Sequence, residues 1–150
     1  MINETETIIL KELIKDLTKQ RSILEISGII KKPYKQTYQN MKKLEKKGLI
    51  TTINVGKSSL CIYNYTKELI TTCYIEALRT KDFLASNKKI EILAEKLTKE
   101  FKTPNFTIII FGSYLKGTQT RTPDLDIAII TEEERLEEAE RTAKYAVSVS

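Results

Sequence analysis

Residues 106–130 of this 150-residue chain most restrict what it can fold into. They read FTIIIFGSYLKGTQTRTPDLDIAII: an apolar run ends in a Gly-Ser pair, and ten residues later an Asp-x-Asp motif opens a second apolar run. Each run has the length and composition of a buried strand bounded by turn residues. The sequence therefore predicts two strands, with the Gly-Ser turn at the end of the first and the acidic motif at the start of the second.

The Gly-Ser pair has the chemistry of a phosphate cradle. Gly112 lets the backbone approach a phosphate closely, and Ser113 adds a hydroxyl group. The first amides of a following helix would add donors and a positive dipole end. Two nearby cations suit a triphosphate, so we predict four nucleotide-binding residues: Gly112, Ser113, Lys116 and Arg121.

The acidic motif has the chemistry of a metal site. Asp124 and Asp126 are two residues apart, and side chains at that spacing on a strand point the same way. Adjacent carboxylates repel unless a cation lies between them, and their oxygens are hard ligands suited to Mg²⁺ or Mn²⁺. We predict both residues as metal ligands and as catalytic residues.

The stretch GSYLKGTQTRTPDLDIAII resembles the signature of the small nucleotidyltransferases of the polymerase-β superfamily, and is most similar to the minimal members of archaea and bacteria. The resemblance implies a mixed sheet with packed helices. It also implies transfer of a nucleoside monophosphate from an NTP to an acceptor hydroxyl, with release of pyrophosphate. By this likeness Gly112 and Ser113 bind the β- and γ-phosphates, and Asp124 and Asp126 ligate two divalent metals.

The chain departs from the family pattern in three places. Tyr114 stands where the family usually has arginine, and Pro123 where a small polar residue is usual. Catalytic members carry a third carboxylate on a later strand, yet no acid follows Glu140. We therefore expect either a fragment cut inside that third strand, which we favour, or a catalytically degenerate protein. In both cases the missing third carboxylate means that nucleotidyl transfer is expected of the full-length protein and not of these 150 residues alone.

The N-terminal part has the element pattern of a winged helix. Helical spacing of apolar residues predicts helices over Glu4–Lys19 and Ser22–Ile29. Pro33 suits the first turn of a third helix, which Gly48 ends. Strands over Leu49–Val55 and Leu60–Tyr65, joined by the turn GKSS, complete the pattern. In the third helix we expect an inward stripe of Tyr34, Tyr38, Met41 and Leu44.

The charge of this part favours an anionic partner. Residues 1–65 carry 12 Lys and Arg against 6 Asp and Glu, whereas residues 66–150 carry 13 against 14. Seven lysines and one acid lie within residues 31–47. Lysines neutralise phosphates and amide side chains read base edges. We predict contact with double-stranded DNA by Lys35, Gln36, Gln39, Asn40, Lys43, Lys47 and, in the wing, Lys57.

Two alternatives remain for this basic surface. The first is that the surface is only a solvated face in a lysine-rich protein. The second is that it binds another protein, as the surfaces of some winged helices do. The basic stripe makes nucleic acid the favoured partner.

The middle of the chain is predicted to be helical. A helix over Thr66–Ala85 places Leu69, Ile70, Cys73, Ala77 and Leu78 on one side, which suits either a homodimer contact or packing within one chain. A second helix, capped by Ser86-Asn87, has strong amphipathic spacing at Ile90, Leu93, Ala94, Leu97 and Phe101.

Composition limits the cellular setting. No apolar run approaches the ~20 residues of a membrane helix, and the N-terminus does not read as a secretory signal. Cys61 and Cys73, in a chain without histidine, give no zinc pattern. We expect reduced, buried thiols in a cytoplasmic protein without a membrane partner.

These features together predict an α+β fold with three parts: a winged-helix DNA-binding domain (1–65), a helical connector (66–103) and an incomplete mixed-sheet domain resembling nucleotidyltransferases (104–150). The predicted function is a DNA-binding protein with Mg²⁺-dependent nucleotidyl transfer. The alternative is a winged-helix transcriptional regulator with a degenerate nucleotidyltransferase domain. The resemblance also implies an antitoxin role, because minimal nucleotidyltransferases often belong to two-gene toxin–antitoxin units. No residue of this sequence favours that role over the others.

Overall fold

The computed structural model describes residues 2–56, 58–101, 105–112, 126–132, 136–137, 139–141 and 143. The chain divides into two compact units, residues 1–83 and 84–150. The elements run in the order α1 (Glu4–Ile14), β1 (Arg21–Ser22), α2 (Ile23–Ile29), α3 (Tyr34–Lys46), β2 (Ile50–Val55), β3 (Ser58–Tyr63), α4 (Leu69–Ser86), α5 (Lys88–Glu100), β4 (Phe106–Phe111) and β5 (Asp126–Thr131).

The first two helices begin at capping boxes. At α1 the Asn3 side chain accepts from the Glu6 amide at 2.8 Å, and the Asn3 amide donates to Glu6 Oε2 at 3.0 Å. At α2 the same exchange joins Ser22 and Glu25. Each exchange satisfies two backbone amides that have no partner within the helix, namely that of the capping residue and that of the glutamate three residues later. The capping box therefore fixes where the helix begins.

Helix α1 ends at Ile14, so the prediction that it continues to Lys19 is wrong. The Asp16 carboxylate accepts from the amide and the hydroxyl of Thr18, at 3.1 and 2.6 Å. A short acidic side chain that bonds local backbone competes with the helix ladder. Leu17 falls beyond the helix and is exposed.

Three strands and three helices form a winged helix in the first unit. The sheet is antiparallel with the order β1-β3-β2, and β2 and β3 pair from Ile50↔Tyr63 to Val55↔Ser58. Gly56 lies at the hairpin turn with φ +59°, and Gly48 after α3 has φ +73°. The predicted hairpin and the predicted stop of α3 are confirmed, but Ser58 and Ser59 of the predicted turn belong to β3, which ends at Tyr63 and not at Tyr65. The two-residue β1 was not predicted.

The core of the first unit joins helices and sheet. Thr37, Met41 and Leu44 of α3 face inward, whereas Tyr34 and Tyr38 are 51% and 41% exposed. The predicted inward stripe is therefore wrong at both tyrosines. The buried apolar cluster contains Ile9, Leu10, Leu13, Ile14, Ile23, Ile26, Met41, Leu44, Leu49, Ile50, Cys61, Tyr63 and Ile75.

Helix α4 contributes only Ile75 to that cluster among its described residues. The Tyr63 hydroxyl and Thr72 Oγ1 are 2.7 Å apart, and Lys11 Nζ lies 2.5 Å from Asp82 Oδ2. The side predicted for Leu69, Ile70 and Cys73 is exposed. Cys73 is therefore not buried as predicted, while Cys61 is.

The second unit packs α5 on a two-stranded antiparallel sheet. Leu93 and Leu97 are buried against Ile108, Ile127 and Ile129. The rings of Phe101 and Phe106 stack with centroids 4.3 Å apart, so the predicted amphipathic face of α5 is confirmed. The opposite face of the strands leaves three large apolar side chains exposed: Ile109, Phe111 and Ile130.

Within the described part of the chain, no helix combines the length and the apolar character that a bilayer crossing requires.

Candidate nucleotide site and nucleic-acid face

The pairing of β4 and β5 brings two of the predicted site residues together. Phe111 is the register partner of Asp126, so the next residue, Gly112, lies beside the first residue of β5. A Cβ built on Gly112 would lie 2.9 Å from Asp126 Cγ and would overlap Oδ2. The carboxylate therefore occupies the space that a side chain at position 112 would need.

The backbone at Gly112 also requires glycine. Its φ is +87°, a region that residues with a Cβ rarely adopt. The strand end, the positive φ and the neighbouring carboxylate together make position 112 a place where only glycine fits. Asp126 is itself exposed, so its oxygens are open to a cation or to solvent.

The other predicted members of this site lie outside the described residues: Ser113, Lys116, Arg121 and Asp124. Among the described residues no cluster of three metal-ligating side chains occurs.

The first carboxylate after β5 lies at the wrong end of the sheet to join Asp126. Glu132 follows Thr131, which pairs with Phe106, whereas Asp126 pairs with Phe111. Five residues of an antiparallel strand span about 17 Å. Glu132 Oε1 instead accepts from Asn105 Nδ2 at 2.9 Å.

Helix α3 presents most of the predicted DNA-contacting side chains to solvent. Lys35, Gln36, Gln39 and Lys43 are exposed. Helix α3 carries four lysines and one acid, Glu45. Lys57 lies outside the described residues.

Asn40 does not share that exposed surface. It is 7% exposed; its Oδ1 accepts from Asn3 Nδ2 at 3.0 Å and its Nδ2 donates to the Gln36 carbonyl at 2.8 Å. The oxygen of the amide thus joins α3 to the residue that caps α1, and its nitrogen bonds within α3. The predicted base contact by Asn40 therefore needs correction, because a buried and hydrogen-bonded amide cannot reach a base edge.

Lys47 has a structural partner as well as an exposed portion. Its Nζ lies 2.7 Å from Oε2 of Glu6, a carboxylate only 1% exposed, and the Lys47 side chain is 36% exposed. A buried carboxylate needs such a cation. Lys47 thus ties the end of α3 to α1, and any contact with DNA is an additional role.

Two tyrosines on the exposed side of α3 were missed as surface residues. The rings of Tyr34 and Tyr38 stack with centroids 6.2 Å apart, and Lys42 Nζ lies 5.9 Å from the Tyr38 centroid. Successive residues of a helix turn by about 100°, so the inward position of Thr37 places Tyr38 toward the side, near Lys35 and Lys42. The sequence pattern alone did not show that Thr37 faces inward.

Lys42 is held in place by a second partner. Its ammonium donates to Glu45 Oε2 at 2.7 Å. This hydrogen bond raises the pKa of Lys42, and together with a hydrogen bond from Thr52 it lowers the pKa of Glu45.

Burial raises the pKa of the Cys61 thiol to about 11, so Cys61 is an inert core thiol.

The comparison with family models covers the segment that contains Gly112 and Asp126. Residues 90–148 match the nucleotidyltransferase domain family. The match takes in most of α5 together with β4 and β5. The match supports the predicted resemblance of the C-terminal domain to nucleotidyltransferases.

Two of the solved structures similar to this chain are described as regulators of transcription. One is BldR of Sulfolobus solfataricus, described as a transcriptional regulator (21% identity, TM-score 0.46, 65% of this chain and 72% of that chain). MepR of Staphylococcus aureus, a transcription regulator of a multidrug efflux pump, has 17% identity and a TM-score of 0.43 over 65% of this chain and 76% of that chain. A point mutant of Lactococcus lactis ZitR has 15% identity and a TM-score of 0.46 over 66% of this chain and 73% of that chain.

Similarity at this level does not extend to function, and the winged-helix assignment rests on the elements and sheet order of the chain itself. A search of curated proteins found no match.

Proposed function

We propose that this chain comes from a DNA-binding protein whose nucleotidyltransferase domain transfers a nucleoside monophosphate from an NTP to an acceptor hydroxyl. The observation that carries the proposal is the contact of Gly112 with the Asp126 carboxylate at the adjoining ends of β4 and β5. It lies inside the segment that matches the family. Because Gly112 has no Cβ, the Asp126 carboxylate can lie against its backbone, which places a potential metal ligand beside the proposed phosphate-binding turn.

The donor set of this site fits a divalent metal. Asp126 is an exposed, hard oxygen ligand, and Asp124 is its proposed partner. A bound Mg²⁺ or Mn²⁺ would neutralise charge on the phosphates and stabilise the attacking and leaving oxygens. The chain's own contribution is to hold the phosphates at Gly112 and Ser113, with Lys116 and Arg121 as cationic neighbours.

Nucleotide binding tests this site directly. With Mg²⁺ present, Asp126→Asn should weaken binding of a labelled NTP about tenfold or more, since a neutral amide loses the charged metal ligand. Glu132→Gln is the matched control: it removes a carboxylate at the far end of β5 and keeps an oxygen that can accept from Asn105. Equal losses in both variants would show that the effect is general charge and not the site.

The second proposed activity is binding of double-stranded DNA by α3, and the observation that supports it is the exposed lysine-rich face. Lys43→Glu should weaken duplex binding and reduce the slope of log K against log salt, because one phosphate contact is lost. Lys89→Glu, an exposed lysine of α5, makes the same change of charge elsewhere. If both variants bind as the wild type does, α3 is not the DNA-contacting helix.

One observation favours the alternative function, a transcriptional regulator with a degenerate nucleotidyltransferase domain. Glu132 is bonded to Asn105 at the end of β5 remote from Asp126, so it cannot serve as the third carboxylate. Under this alternative the chain binds DNA and NTP without turnover.

A homodimer through α4 is also proposed. Its support is the exposed apolar side of that helix, where Ile70 is 85% exposed. Clustered apolar side chains on a surface indicate an interaction site, and a twofold contact of one helix with its copy buries such a patch on both chains at once.

A further inference from the structure

The stacked pair Tyr34 and Tyr38 is the feature of the DNA-binding surface that charge does not explain. Both rings are large, and about half of each is exposed. They lie one helical turn apart on α3 and stack on each other. This exposed aromatic surface stands in the first half of the helix, the half that contacts base edges when such helices enter the major groove.

The neighbours of Tyr38 hold its ring in one orientation. Tyr34 packs on one side of it, and Lys42 Nζ approaches the ring within cation–π range. Lys42 is in turn anchored by Glu45 at 2.7 Å. An aromatic ring fixed before binding loses little conformational freedom when a ligand covers it.

The major groove offers one apolar group that such a ring can recognise. Thymine carries a 5-methyl group there, while cytosine, adenine and guanine present hydrogen-bonding atoms or bare ring edges. Lysines on the same helix face supply phosphate contacts without sequence preference. A base-selective contact must therefore come from other side chains, and Asn40 is excluded from that role by its burial.

We propose that Tyr38, supported by Tyr34 and Lys42, contacts the 5-methyl group of a thymine in the major groove and so selects a T·A pair. The inference rests on the proposed DNA binding and names the residue that gives it sequence preference. Gln39, exposed beside Tyr38, is placed to read an adjacent base edge.

The test uses the full chain and duplexes that differ by single methyl groups. A preferred duplex is first selected from a random pool, and each of its thymines is then replaced in turn by deoxyuridine. At one position this change should weaken wild-type binding about fourfold, the value for one buried methyl group. Tyr38→Ala should abolish that difference, while Tyr38→Phe, which keeps the ring, should retain it.

Tyr65→Ala is the matched control, since Tyr65 is an equally exposed tyrosine outside α3; it should bind both duplexes as the wild type does. Wild-type protein that binds the duplex but tolerates deoxyuridine at every position would overturn the inference and leave DNA binding intact. A Tyr38→Ala protein that still binds the thymine duplex more tightly than the deoxyuridine duplex would also overturn the inference. That result would point to the aromatic pair as a protein-docking surface. Wild-type protein that binds no duplex would overturn the proposed DNA binding itself.

Discussion

At the residue scale, the two proposed functional surfaces depend on a few positions with little freedom to change. Gly112 combines a positive φ with the nearness of the Asp126 carboxylate. The motif that predicted this pair was readable because glycine and aspartate at strand ends have few other uses in such a spacing. The orientation of Tyr38 and Asn40 was not readable from charge, since the helix rotation is set by Thr37 and by the bond from Asn3.

A methyl group at position 112 should therefore harm both stability and binding. Gly112→Ala places a Cβ against Asp126 in an unfavourable backbone region, so we expect the second unit to lose more than about 1 kcal/mol of unfolding free energy. NTP binding should weaken as the carboxylate is displaced. Urea denaturation and nucleotide titration measure the two effects.

Gly28→Ala is the control for that substitution. Gly28 lies in α2 with an ordinary helical backbone, and no atom lies within 4 Å of the place that an added methyl carbon would take. Alanine there should be neutral or stabilising by up to about 1 kcal/mol. A Gly112→Ala protein as stable and as competent in NTP binding as Gly28→Ala would contradict the proposed geometry of the site.

At the scale of the elements, side chains at the helix ends decide where each helix begins and stops. Ser22 and Glu25 start α2, and Asp16 ends the chain's first helix early through its bonds to Thr18. Apolar periodicity predicted the helices but not this end, because Leu17 continues the apolar spacing beyond the point where Asp16 diverts the backbone. The strand β1 has only two residues, too few for any pattern.

The hydrogen bonds that Glu45 of α3 accepts from Lys42 and from Thr52 of β2 predict that the free energy of unfolding depends on pH. Lys42 and Thr52 lower the Glu45 pKa in the folded state, so the stability it contributes is present above the unfolded value near 4.5 and is lost as pH falls through the lower folded value. The difference in unfolding free energy between wild type and Glu45→Gln should be about 0.2–1 kcal/mol at pH 7. It should shrink steadily below pH 4.5.

Urea denaturation from pH 7 to pH 3 measures that difference. Glu25→Gln is a useful comparison, since hydrogen bonds from Ser22 lower its pKa too, and the two losses should follow similar pH ranges. A Glu45 difference that stayed constant or grew on acidification would show that its carboxylate is not held charged by these partners.

At the scale of the whole molecule, two units of different character follow each other along the chain. The winged helix has a large core, whereas the second unit, in its described residues, packs α5 on two strands and leaves an apolar sheet face exposed. Charge and periodicity predicted this order of α+β parts. They did not predict that α4 would bury only Ile75 among its described residues, because burial of a helix face depends on what packs against it.

The exposed side of α4 predicts the oligomeric state. Sedimentation should show a wild-type dimer, and Ile70→Lys should shift it to monomer by placing a charge in the apolar contact. Leu24→Lys, an equally radical change at an exposed leucine of α2, should leave the dimer intact. Wild-type protein that is monomeric at every concentration measured would exclude the dimer.

Turnover of NTP decides whether the site at Gly112 and Asp126 performs nucleotidyl transfer. The full-length protein is incubated with Mg²⁺ and each of the four α-phosphate-labelled NTPs, with and without duplex DNA, and the label transferred to an acceptor is measured together with pyrophosphate. We predict transfer from at least one NTP, reduced about 100-fold or more in Asp126→Asn and unchanged in Glu132→Gln. Equal transfer by Asp126→Asn, or none by the wild type under every condition, would contradict the proposed activity.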